Sequence, residues 1–314
     1  MGLDLMNALL AVYQGELKRN EPMARHTSFR VGGPCDLFVK PKSLDDLRIA
    51  VSFLTSQSIP LTFVGDGTNL LVRDGGIEGA VICLADLTEP LTESRQGEAI
   101  ILEVPAGVKT QHLCRMAAEK GYAGLTFATG IPGTLGGALT MNASTEKTGW
   151  ETVVQKITVV KRSGKKETLK AEAFDFHYRR LSIGGKDRLH LDFPGIAAAT
   201  LVLTPGNPAQ LEADRQEKLS RRKASQPVSL PSAGCFFKNP ETGPSAGQLI
   251  DELGMKGRQI GGAQISERHA NYIVNTGSAT AQEILDLAHQ VRENVFKKKG
   301  TRLEEEVTLV GRQA

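Results

Sequence analysis

The stretch GLTFATGIPGTLGGALTMNAS, residues 124–144, decides how we interpret the rest of the chain. Four glycines and one proline fall close together in it: Gly130, Pro132, Gly133, Gly136 and Gly137. A helix would lose about 1 kcal/mol at each glycine and about 3 kcal/mol at the proline, so the composition predicts a loop. Such a loop lets a ligand approach the bare backbone, whose N–H groups can bind an anion.

Small and apolar residues surround these glycines: Ile131, Leu135, Ala138, Leu139 and Met141. They suit a buried flat ligand better than a solvated turn. A tightly packed loop without a ligand explains the same residues, because an isolated glycine cluster is a weak signal. The stretch alone leaves both interpretations open.

A second glycine-rich loop, GDGTNLLVRDGG at residues 65–76, follows a short apolar strand. It matches neither the dinucleotide-binding G-x-G-x-x-G nor the phosphate-binding G-x-x-x-x-G-K-[ST]. Thr68 and Asn69 have side chains that can donate to a pyrophosphate, although a plain β-turn explains the composition equally well. Two such loops after two separate strands together suggest a nucleotide-type cofactor held by backbone groups.

Length and composition restrict the class of protein. The chain has 314 residues, 40% of them hydrophobic and 23% charged, which is typical of a globular protein with two or three domains. The net charge of +3, with dispersed basic residues, does not indicate nucleic-acid binding. No signal peptide and no run of 18 apolar residues is present, so we expect a cytoplasmic protein without a membrane segment. Four scattered cysteines and six scattered histidines show no ligand spacing, so we expect no metal.

Apolar spacing predicts the secondary structure. Helices are expected at residues 3–13, 44–57, 110–120, 209–223, 248–253 and 281–299. Strands are expected at 61–64, 80–84, 100–104, 153–160, 167–169, 196–203 and 303–310, with a strand broken by Gly32-Gly33-Pro34 within 26–41 and an apolar run at 70–72. Ser43 should cap the second helix, Gly121 should end the third, and Pro205-Gly206-Asn207-Pro208 should mark a domain boundary. The mixture predicts an α+β or α/β fold.

Three further features are candidates for chemistry, each with an ordinary alternative. Cys235 lies in a polar loop, where its thiol can ionise near its usual pKa and give a proton, although most free cysteines are buried apolar residues. The basic run of residues 218–223 can meet a substrate phosphate or simply stabilise a helix end. If residues 303–310 form a strand, Glu304 and Glu306 share one face, and both are solvated in the ordinary interpretation.

The motifs together resemble the UDP-N-acetylenolpyruvoylglucosamine reductase family, in its shorter type II form. They occur in the family's order over about 280 residues: HTSFRVGGPCDLFVKP, GDGTNLLVRDGG, FATGIPGTLGGALTMNAS, FHYRR, PSAGCFFKNP, GGAQISERHANYIVN and LEEEV. The resemblance implies an α+β protein with noncovalent FAD in a vanillyl-alcohol-oxidase (PCMH-type) fold of two subdomains. It implies domains at 1–74 (joined by a returning strand at 301–314), 75–205 and 206–300, the last for substrate.

The resemblance also assigns binding residues. The pyrophosphate cradle would be Gly65, Asp66, Gly67, Thr68, Asn69 and Leu70. The flavin would lie along Gly130, Ile131, Pro132, Gly133, Thr134, Gly136, Gly137, Ala138 and Asn142. Tyr178, Lys223 and Asn239 match substrate-contacting positions. NADPH and the UDP-sugar would bind in turn, and we expect a monomer.

Three residues match the family's catalytic positions: Arg179, Cys235 and Glu306. In the family, hydride passes from NADPH through the flavin to the β-carbon of an enolpyruvyl ether, an arginine stabilises the developing charge, and an acid protonates the α-carbon. Cys235 stands where the family most often has serine. Counting back from Ser182 selects Arg180 instead of Arg179, and we favour Arg179 because it follows the tyrosine.

Two other functions are compatible with the residues. An oxidase can use the same FAD scaffold, because a fold does not fix a function. A non-enzymatic nucleotide-binding protein would use the glycine loops alone and leave Cys235 structural. The match of Arg179, Cys235 and Glu306 to three catalytic positions argues against this last alternative.

Overall fold

The computed structural model describes residues 3–145, 148–187 and 194–314. Its α-helices are α1 (Leu3–Leu10), α2 (Leu44–Ser56), α3 (Thr110–Glu119), α4 (Leu135–Thr140), α5 (Pro208–Ser225), α6 (Ala246–Glu252) and α7 (Ala281–Lys299). Its first strands are β1 (Glu16–Pro22), β2 (Pro34–Lys40), β3 (Leu61–Val64), β4 (Leu70–Val72), β5 (Ile77–Cys83), β6 (Thr92–Gln96), β7 (Ala99–Pro105) and β8 (Tyr122–Ala123). The remaining strands are β9 (Val154–Val160), β10 (Lys166–Lys170), β11 (Phe174–His177), β12 (Arg180–Ile183), β13 (Gly195–Pro205), β14 (Gln259–Ile260), β15 (Ala263–Ile265), β16 (Ile273–Asn275) and β17 (Thr308–Val310). No helix within these described ranges is long and apolar enough to cross a membrane.

The chain folds into two compact units, each built from three separate segments. Unit 1 comprises Met1–Arg19, Leu37–Asp66 and Gly79–Ser220, and unit 2 comprises Asn20–Asp36, Gly67–Glu78 and Arg221–Ala314. This grouping differs from the three largely consecutive domains that the sequence predicts, because segments 20–36 and 67–78 belong to the same unit as the C-terminal third. The three-domain division stays a prediction.

Unit 1 contains two hydrophobic cores on two sheets. The larger sheet has the order β10-β9-β13-β7-β6, with β8 paired to β13, and each of its pairs is antiparallel. Its core includes α3 and α4 residues such as Leu113 and Leu139, packed with the buried Trp150. The smaller sheet has the order β1-β2-β5-β3, and α2 packs on it through Leu47, Val51 and other apolar residues.

Unit 2 has one core, formed mainly by α6, α7 and the sheet β14-β15-β16. Strand β17 pairs in parallel with β4, with Leu309 opposite Leu71. Helix α7 begins with a capping box between Thr280 and Glu283, and the Asp74 carboxylate accepts from its first two N–H groups at 2.9 Å each. These contacts fix segment 67–78 and the C-terminal strand within one unit.

Several sequence predictions are confirmed. Ser43 caps α2 by accepting from the Asp46 N–H, and α7 has the predicted bounds. Gly121 directly follows Lys120, the C-cap residue of α3, and has the left-handed backbone that ends the helix, at φ +72°. The strands expected at 153–160 and 167–169 are present as β9 and β10, which pair antiparallel on either side of the Gly164 turn. Each of these depends on local apolar spacing and end chemistry, which the sequence shows directly.

Three predictions are wrong in part. The stretch expected to be all loop contains helix α4, even though Gly136 and Gly137 lie inside it. The C-terminal strand is shorter than expected and starts at Thr308, after an isolated bridge at Glu305. The broken strand expected within 26–41 is only β2, because residues 27–33 form turns and irregular backbone.

Candidate active site

In unit 1, the end of β3 meets the glycine-rich stretch. Gly65 follows β3, and a methyl group added to its Cα would overlap the Thr134 hydroxyl. The Gly65 carbonyl also accepts from the Cys83 thiol at 3.5 Å. Only a glycine lets the two predicted cofactor loops approach so closely here, so two of the predicted FAD-binding residues lie side by side.

Lys109 lies between the same two loops. Its ammonium pairs with the Asp66 carboxylate, and its backbone forms a bridge with Thr134. The next residue, Thr110, begins α3 and donates its N–H to the Gly133 carbonyl at 3.0 Å. The Asp66 side chain is therefore held by an ion pair that no sequence motif predicts.

The structure of helix α4 accounts for two glycines of the stretch, Gly136 and Gly137. Thr134 caps it by accepting from the Gly137 N–H, and the Gly136 N–H donates to the Ala106 carbonyl at 2.9 Å. A methyl group on Gly136 would lie 2.9 Å from the Ala106 Cβ, whereas one on Gly137 would make only an ordinary contact. Gly136 is needed for packing, and Gly137 leaves bare backbone at a half-buried position.

The other predicted flavin-contacting residues differ in exposure. Ile131 and Ala138 are buried in the larger core of unit 1, and Pro132 is exposed. The bare backbone at Gly65 and the hydroxyl beside it fit the phosphate groups of a dinucleotide. The run of small residues fits its flat ring. This part of the chain therefore fits FAD.

The remainder of the second glycine loop, residues 67–76, belongs to unit 2. Gly67 has φ +62°, and a methyl group there would overlap the His26 carbonyl. The Asn69 side-chain N–H donates to the Glu306 carbonyl at 3.0 Å, and the Asn69 carbonyl accepts from Thr308 at 2.9 Å. Asn69 thus helps to place Glu306, in addition to its predicted role toward the cofactor.

Tyr178 and Arg179 form the two-residue turn between β11 and β12 in unit 1. Arg179 has φ +55°, and its guanidinium donates to the Ser144 carbonyl at 3.3 Å, at the end of the glycine-rich stretch. The same guanidinium lies 5.0 Å from the centre of the Tyr178 ring, which is 56% exposed. Asn142 reinforces the arrangement by donating to the His177 carbonyl at 3.1 Å.

Arg180, the alternative catalytic arginine, has a different environment. It begins β12, is exposed, and lies 3.7 Å from the Asp187 carboxylate. Arg179 is half-buried and contacts Ser144, at the end of the glycine-rich stretch. The difference in environment favours Arg179 over Arg180.

In unit 2, three segments meet around Cys235. The Phe236 N–H donates to the Asn271 carbonyl at 2.7 Å, and Phe237 exchanges two hydrogen bonds with the Asn271 side chain at 2.8 and 2.9 Å. On the other side, the Glu306 N–H donates to the Phe236 carbonyl at 2.8 Å. The half-buried Cys235 therefore lies on a strand-like segment between the segments of Asn271 and Glu306.

The three glutamates of LEEEV lie in different environments. Glu304 pairs with Lys238 at 3.1 Å and Glu305 pairs with Arg292 at 3.0 Å, both on the surface. Glu306 is half-buried. Glu304 matches the solvated alternative given for it, whereas Glu306 does not and is the acid that the fold holds beside the Cys235 segment.

Arg222 and Tyr272 extend this cluster. Tyr272 is only 6% exposed, and Arg222 and Cys235 are among the groups that influence its titration. Burial raises the pKa of Tyr272, the nearby charges of Cys235 and Glu306 raise it further, and Arg222 acts in the opposite direction. The phenol is therefore protonated at neutral pH and can only be a hydrogen-bond donor or acceptor there.

The predicted substrate residues of unit 2 lie on its surface. Lys223 is exposed near the end of α5, and its carbonyl accepts from Arg268 at 2.9 Å. Asn239 is exposed, and its side-chain oxygen accepts from the Ala246 N–H at the start of α6 at 3.1 Å. Neither observation tests a substrate contact.

Cys235 and Glu306 are thus brought together in unit 2, while Arg179 lies beside the glycine-rich stretch in unit 1. Sequence reasoning assigned no role to Lys109, Asn271 or Tyr272. The last two lie inside the quoted motif GGAQISERHANYIVN, where polar residues among apolar ones were a usable signal. In the described ranges, no group of three His, Cys, Asp or Glu side chains could hold a metal. His190, one of the scattered histidines, lies outside them.

Comparisons with known proteins identify the family. The model of the FAD binding domain matches residues 35–170, and that of the UDP-N-acetylenolpyruvoylglucosamine reductase C-terminal domain matches residues 226–310. The UDP-N-acetylenolpyruvoylglucosamine reductase of Desulfosudis oleivorans is 41% identical over 304 residues, which are 96% of this chain and 97% of that protein. That of Geobacter metallireducens is 42% identical over 315 residues and the full length of both.

A solved structure agrees. The crystal structure of UDP-N-acetylenolpyruvylglucosamine reductase from Thermus caldophilus has a TM-score of 0.75 at 29% identity, and the match covers 94% of this chain and 98% of that one. Together these findings confirm the expected fold class and FAD as the cofactor. This chain belongs to the UDP-N-acetylenolpyruvoylglucosamine reductase family.

Proposed function

We propose that the chain reduces the enolpyruvyl ether of UDP-N-acetylglucosamine-enolpyruvate to the lactyl ether, with NADPH as the reductant. The product is UDP-N-acetylmuramate, a precursor of peptidoglycan. Family membership supports the reaction, and one observation in the structure supports the chemistry. The half-buried Cys235 and Glu306 lie on adjacent hydrogen-bonded segments of unit 2, where a proton donor and a second acid can act on one substrate.

Bound FAD would supply the hydride for the β-carbon, after taking it from NADPH. Gly65 and Asp66, together with the small residues around Thr134, are the candidates to hold it in unit 1. Asn142, fixed between Trp150 and His177, keeps the end of this stretch in place.

Each catalytic candidate has one task. Arg179 stabilises negative charge on the substrate carboxylate as it develops, because a guanidinium already held in place needs little reorganisation. The Cys235 thiol gives its proton to the α-carbon, an acid role typically worth 10²–10⁴-fold in rate. Glu306 helps to neutralise the same carboxylate oxygens when it carries or shares a proton. Tyr178, Lys223 and Asn239 are the candidates for binding the UDP-sugar.

We further propose that the protein works as a cytoplasmic monomer, without nucleic-acid or membrane partners. The net charge of +3 on 314 residues, with dispersed basic residues, supports the absence of a nucleic-acid partner. A single light-scattering or sedimentation experiment at assay concentration would test the oligomeric state.

An anaerobic titration tests the reaction. The purified protein should show an oxidised-flavin spectrum that bleaches with NADPH and returns only when the enolpyruvyl UDP-sugar is added. A colourless protein that takes up no FAD would contradict the flavoenzyme. Rapid return of the spectrum with O₂ alone, independent of the sugar, would instead favour an oxidase.

Two sets of variants test the residue roles. Cys235→Ala should slow reoxidation of the flavin by the sugar by at least about 10²-fold and leave reduction by NADPH unchanged. Arg179→Lys should slow the same step more than Arg180→Lys does, because only Arg179 contacts the glycine-rich stretch. A larger loss at Arg180 would reverse the assignment, and a small effect of Cys235→Ala would remove its acid role.

A further inference from the structure

A lysine and an aspartate of unit 1 form an ion pair beside the predicted pyrophosphate loop. The Lys109 ammonium pairs with the Asp66 carboxylate, and the two side chains are 52% and 21% exposed. An ion pair this exposed adds little to folding stability, because water screens the charges. Its place beside Gly65, where the two cofactor loops meet, fits a role in binding better.

The backbone of Lys109 is fixed to the second cofactor loop. It forms a bridge with Thr134, the residue that caps α4, and Thr110 donates its N–H to the Gly133 carbonyl at 3.0 Å. The Lys109 carbonyl accepts from the Leu113 N–H at 3.0 Å in the first turn of α3. Lys109 therefore joins the two loops, since its backbone is bonded to one and its ammonium to the other.

Asp66 brings a negative charge into the loop that is expected to bind the FAD pyrophosphate. The side chain is half-buried, so water screens its charge less than on an open surface. The pyrophosphate is itself a dianion at neutral pH, and like charges close together at a partly desolvated site repel each other. Backbone N–H groups of this loop can bind the anion well only if the carboxylate charge is offset. Lys109 supplies that offset.

We propose that Lys109 is a positioning residue for the FAD pyrophosphate. Its ammonium neutralises the Asp66 carboxylate and holds it in place, so that the neighbouring backbone N–H groups meet the anion without a repelling charge. This inference rests on the FAD site proposed above at Gly65 and Asp66. Lys109 acts through Asp66 and needs no contact of its own with a phosphate oxygen. Affinity for FAD should therefore depend on the sum of the two charges.

Release of FAD from the diluted holoenzyme, followed by the rise of flavin fluorescence, measures this affinity without turnover. Lys109→Met removes the charge and keeps an unbranched side chain, and it should weaken FAD binding about tenfold at low salt, about 50 mM. Adding Asp66→Asn to the same chain should restore the affinity to within about threefold of wild type, because the repelling charge is then gone as well. Lys109→Arg, which keeps the charge, should bind FAD about as tightly as wild type.

Ionic strength separates a charge effect from a structural one. At about 1 M salt the screening length is about 3 Å, so the difference in affinity between Lys109→Met and wild type should shrink to less than about threefold. A distorted loop would instead keep its defect at any salt concentration, and that result would overturn the inference.

Lys120→Met is the matched control. Lys120 pairs with Glu93 at 2.8 Å, is 49% exposed, and lies at the opposite end of α3 from Lys109. Its replacement removes the same charge from unit 1 but leaves both cofactor loops unchanged. FAD affinity should therefore match wild type at both salt concentrations. An equal loss of affinity in Lys120→Met and Lys109→Met would mean that only the overall charge matters, and it would overturn the role of Lys109.

The same assay separates this inference from the site and the function on which it rests. Gly65→Ala covers the bare backbone, so it should weaken FAD binding; wild-type affinity in this variant would contradict the FAD site, and the inference with it. If Gly65→Ala binds weakly while Lys109→Met binds as wild type, or if Asp66→Asn fails to restore binding, only the role of Lys109 is wrong. A flavin that the enolpyruvyl UDP-sugar does not reoxidise would contradict the proposed reaction and leave these affinities unchanged.

Discussion

At the scale of single residues, Asn271 is the side chain that holds the candidate site of unit 2 together. It is 3% exposed, and both of its polar atoms bond the backbone of Phe237, at 2.8 and 2.9 Å. A buried group that loses its partner keeps its full desolvation cost, whereas an exposed group regains water. The position of Cys235, two residues before Phe237, therefore depends on an amide that takes no part in the chemistry.

Asn271→Ala should lower the free energy of unfolding by about 1–3 kcal/mol, because it leaves the N–H and carbonyl of Phe237 without partners. Asn294→Ala is the control, since that side chain makes one exposed hydrogen bond on α7 and its loss should cost less than about 0.5 kcal/mol. Denaturant unfolding measures both. Equal losses of unfolding free energy in the two variants would mean that Asn271 does not hold the segment of Cys235 and Phe237.

His269 makes the folding stability of the protein depend on pH. Its Nδ1 accepts from the Asn271 N–H at 3.3 Å, which requires an unprotonated Nδ1. Burial, with a smaller effect of Lys256, lowers the pKa of His269 in the folded protein. The unfolded chain therefore binds more protons just below the ordinary histidine pKa of about 6.5, so folding stability falls as the pH drops through that value.

His269→Asn should remove this dependence, because an asparagine oxygen can accept the same hydrogen bond and does not titrate. We expect wild type to lose more thermal stability than His269→Asn when the pH goes from 7.5 to 5.5. Other titrating groups are shared by the two proteins and cancel in the comparison. The same loss of Tm in both would contradict a lowered pKa at His269.

At the scale of elements, α4 is the one whose formation the sequence argued against. Its glycines have different surroundings, because a methyl group on Gly136 would crowd Ala106 of the segment after β7, whereas one on Gly137 would make only an ordinary contact with Thr134. The helix propensity of glycine is an intrinsic cost that tertiary packing can offset. Here the close approach that Gly136 permits, with its N–H bonded to Ala106 at 2.9 Å, supplies the packing.

A pair of alanine substitutions in α4 tests this difference. In the FAD-free protein, Gly136→Ala should lower the free energy of unfolding by about 1–3 kcal/mol through overpacking against Ala106. Gly137→Ala should be neutral or stabilise by up to about 1 kcal/mol, because alanine is the better helix former and meets no close neighbour. Denaturant unfolding measures the change in the free energy of unfolding for each variant. A larger loss at Gly137 would show that the packing of α4 has been misassigned.

Other elements show where sequence reasoning stops. Helices α2, α3 and α7 were predictable because their apolar spacing and caps are local. Strands β1 and β6 were missed, since ELKRNEP and TESRQ have no apolar period and exist only because neighbouring strands pair with them.

The residues of the candidate site likewise include some that the sequence could identify and others that it could not. Arg179, Cys235 and Glu306 could be selected from motifs whose order along the chain is specific. The motif makes Asn271 a candidate, but its partner could not be predicted, because its two hydrogen bonds reach Phe237, which is distant in sequence. The ion pair of Lys109 with Asp66 joins residues 43 positions apart along the chain, and no local pattern predicts it.

At the scale of the whole molecule, the chain order and the compact units do not coincide. The core of unit 2 contains Phe29, Val31 and Leu71 together with residues from 233 onward. Phe29 is fully buried, its ring lies 6.5 Å from that of Phe236, and its carbonyl accepts from Asn275 at 2.9 Å. Residues near the N-terminus therefore support the segment that carries Cys235.

Phe29→Ala tests this long-range dependence. We expect a loss of about 3–5 kcal/mol in the free energy of unfolding, the usual cost of emptying a buried phenylalanine site. Phe296→Ala is the matched control, because that ring is 41% exposed on α7 and its removal leaves no cavity. Hydrogen exchange at the Phe236 and Phe237 amides should speed up in Phe29→Ala and stay unchanged in Phe296→Ala. Two outcomes would contradict this dependence: an equal loss of stability in the two variants, or continued protection of those amides in Phe29→Ala. Unit 2 would then be stabilised by the C-terminal third of the chain alone, without support of the Cys235 segment by the N-terminal segment.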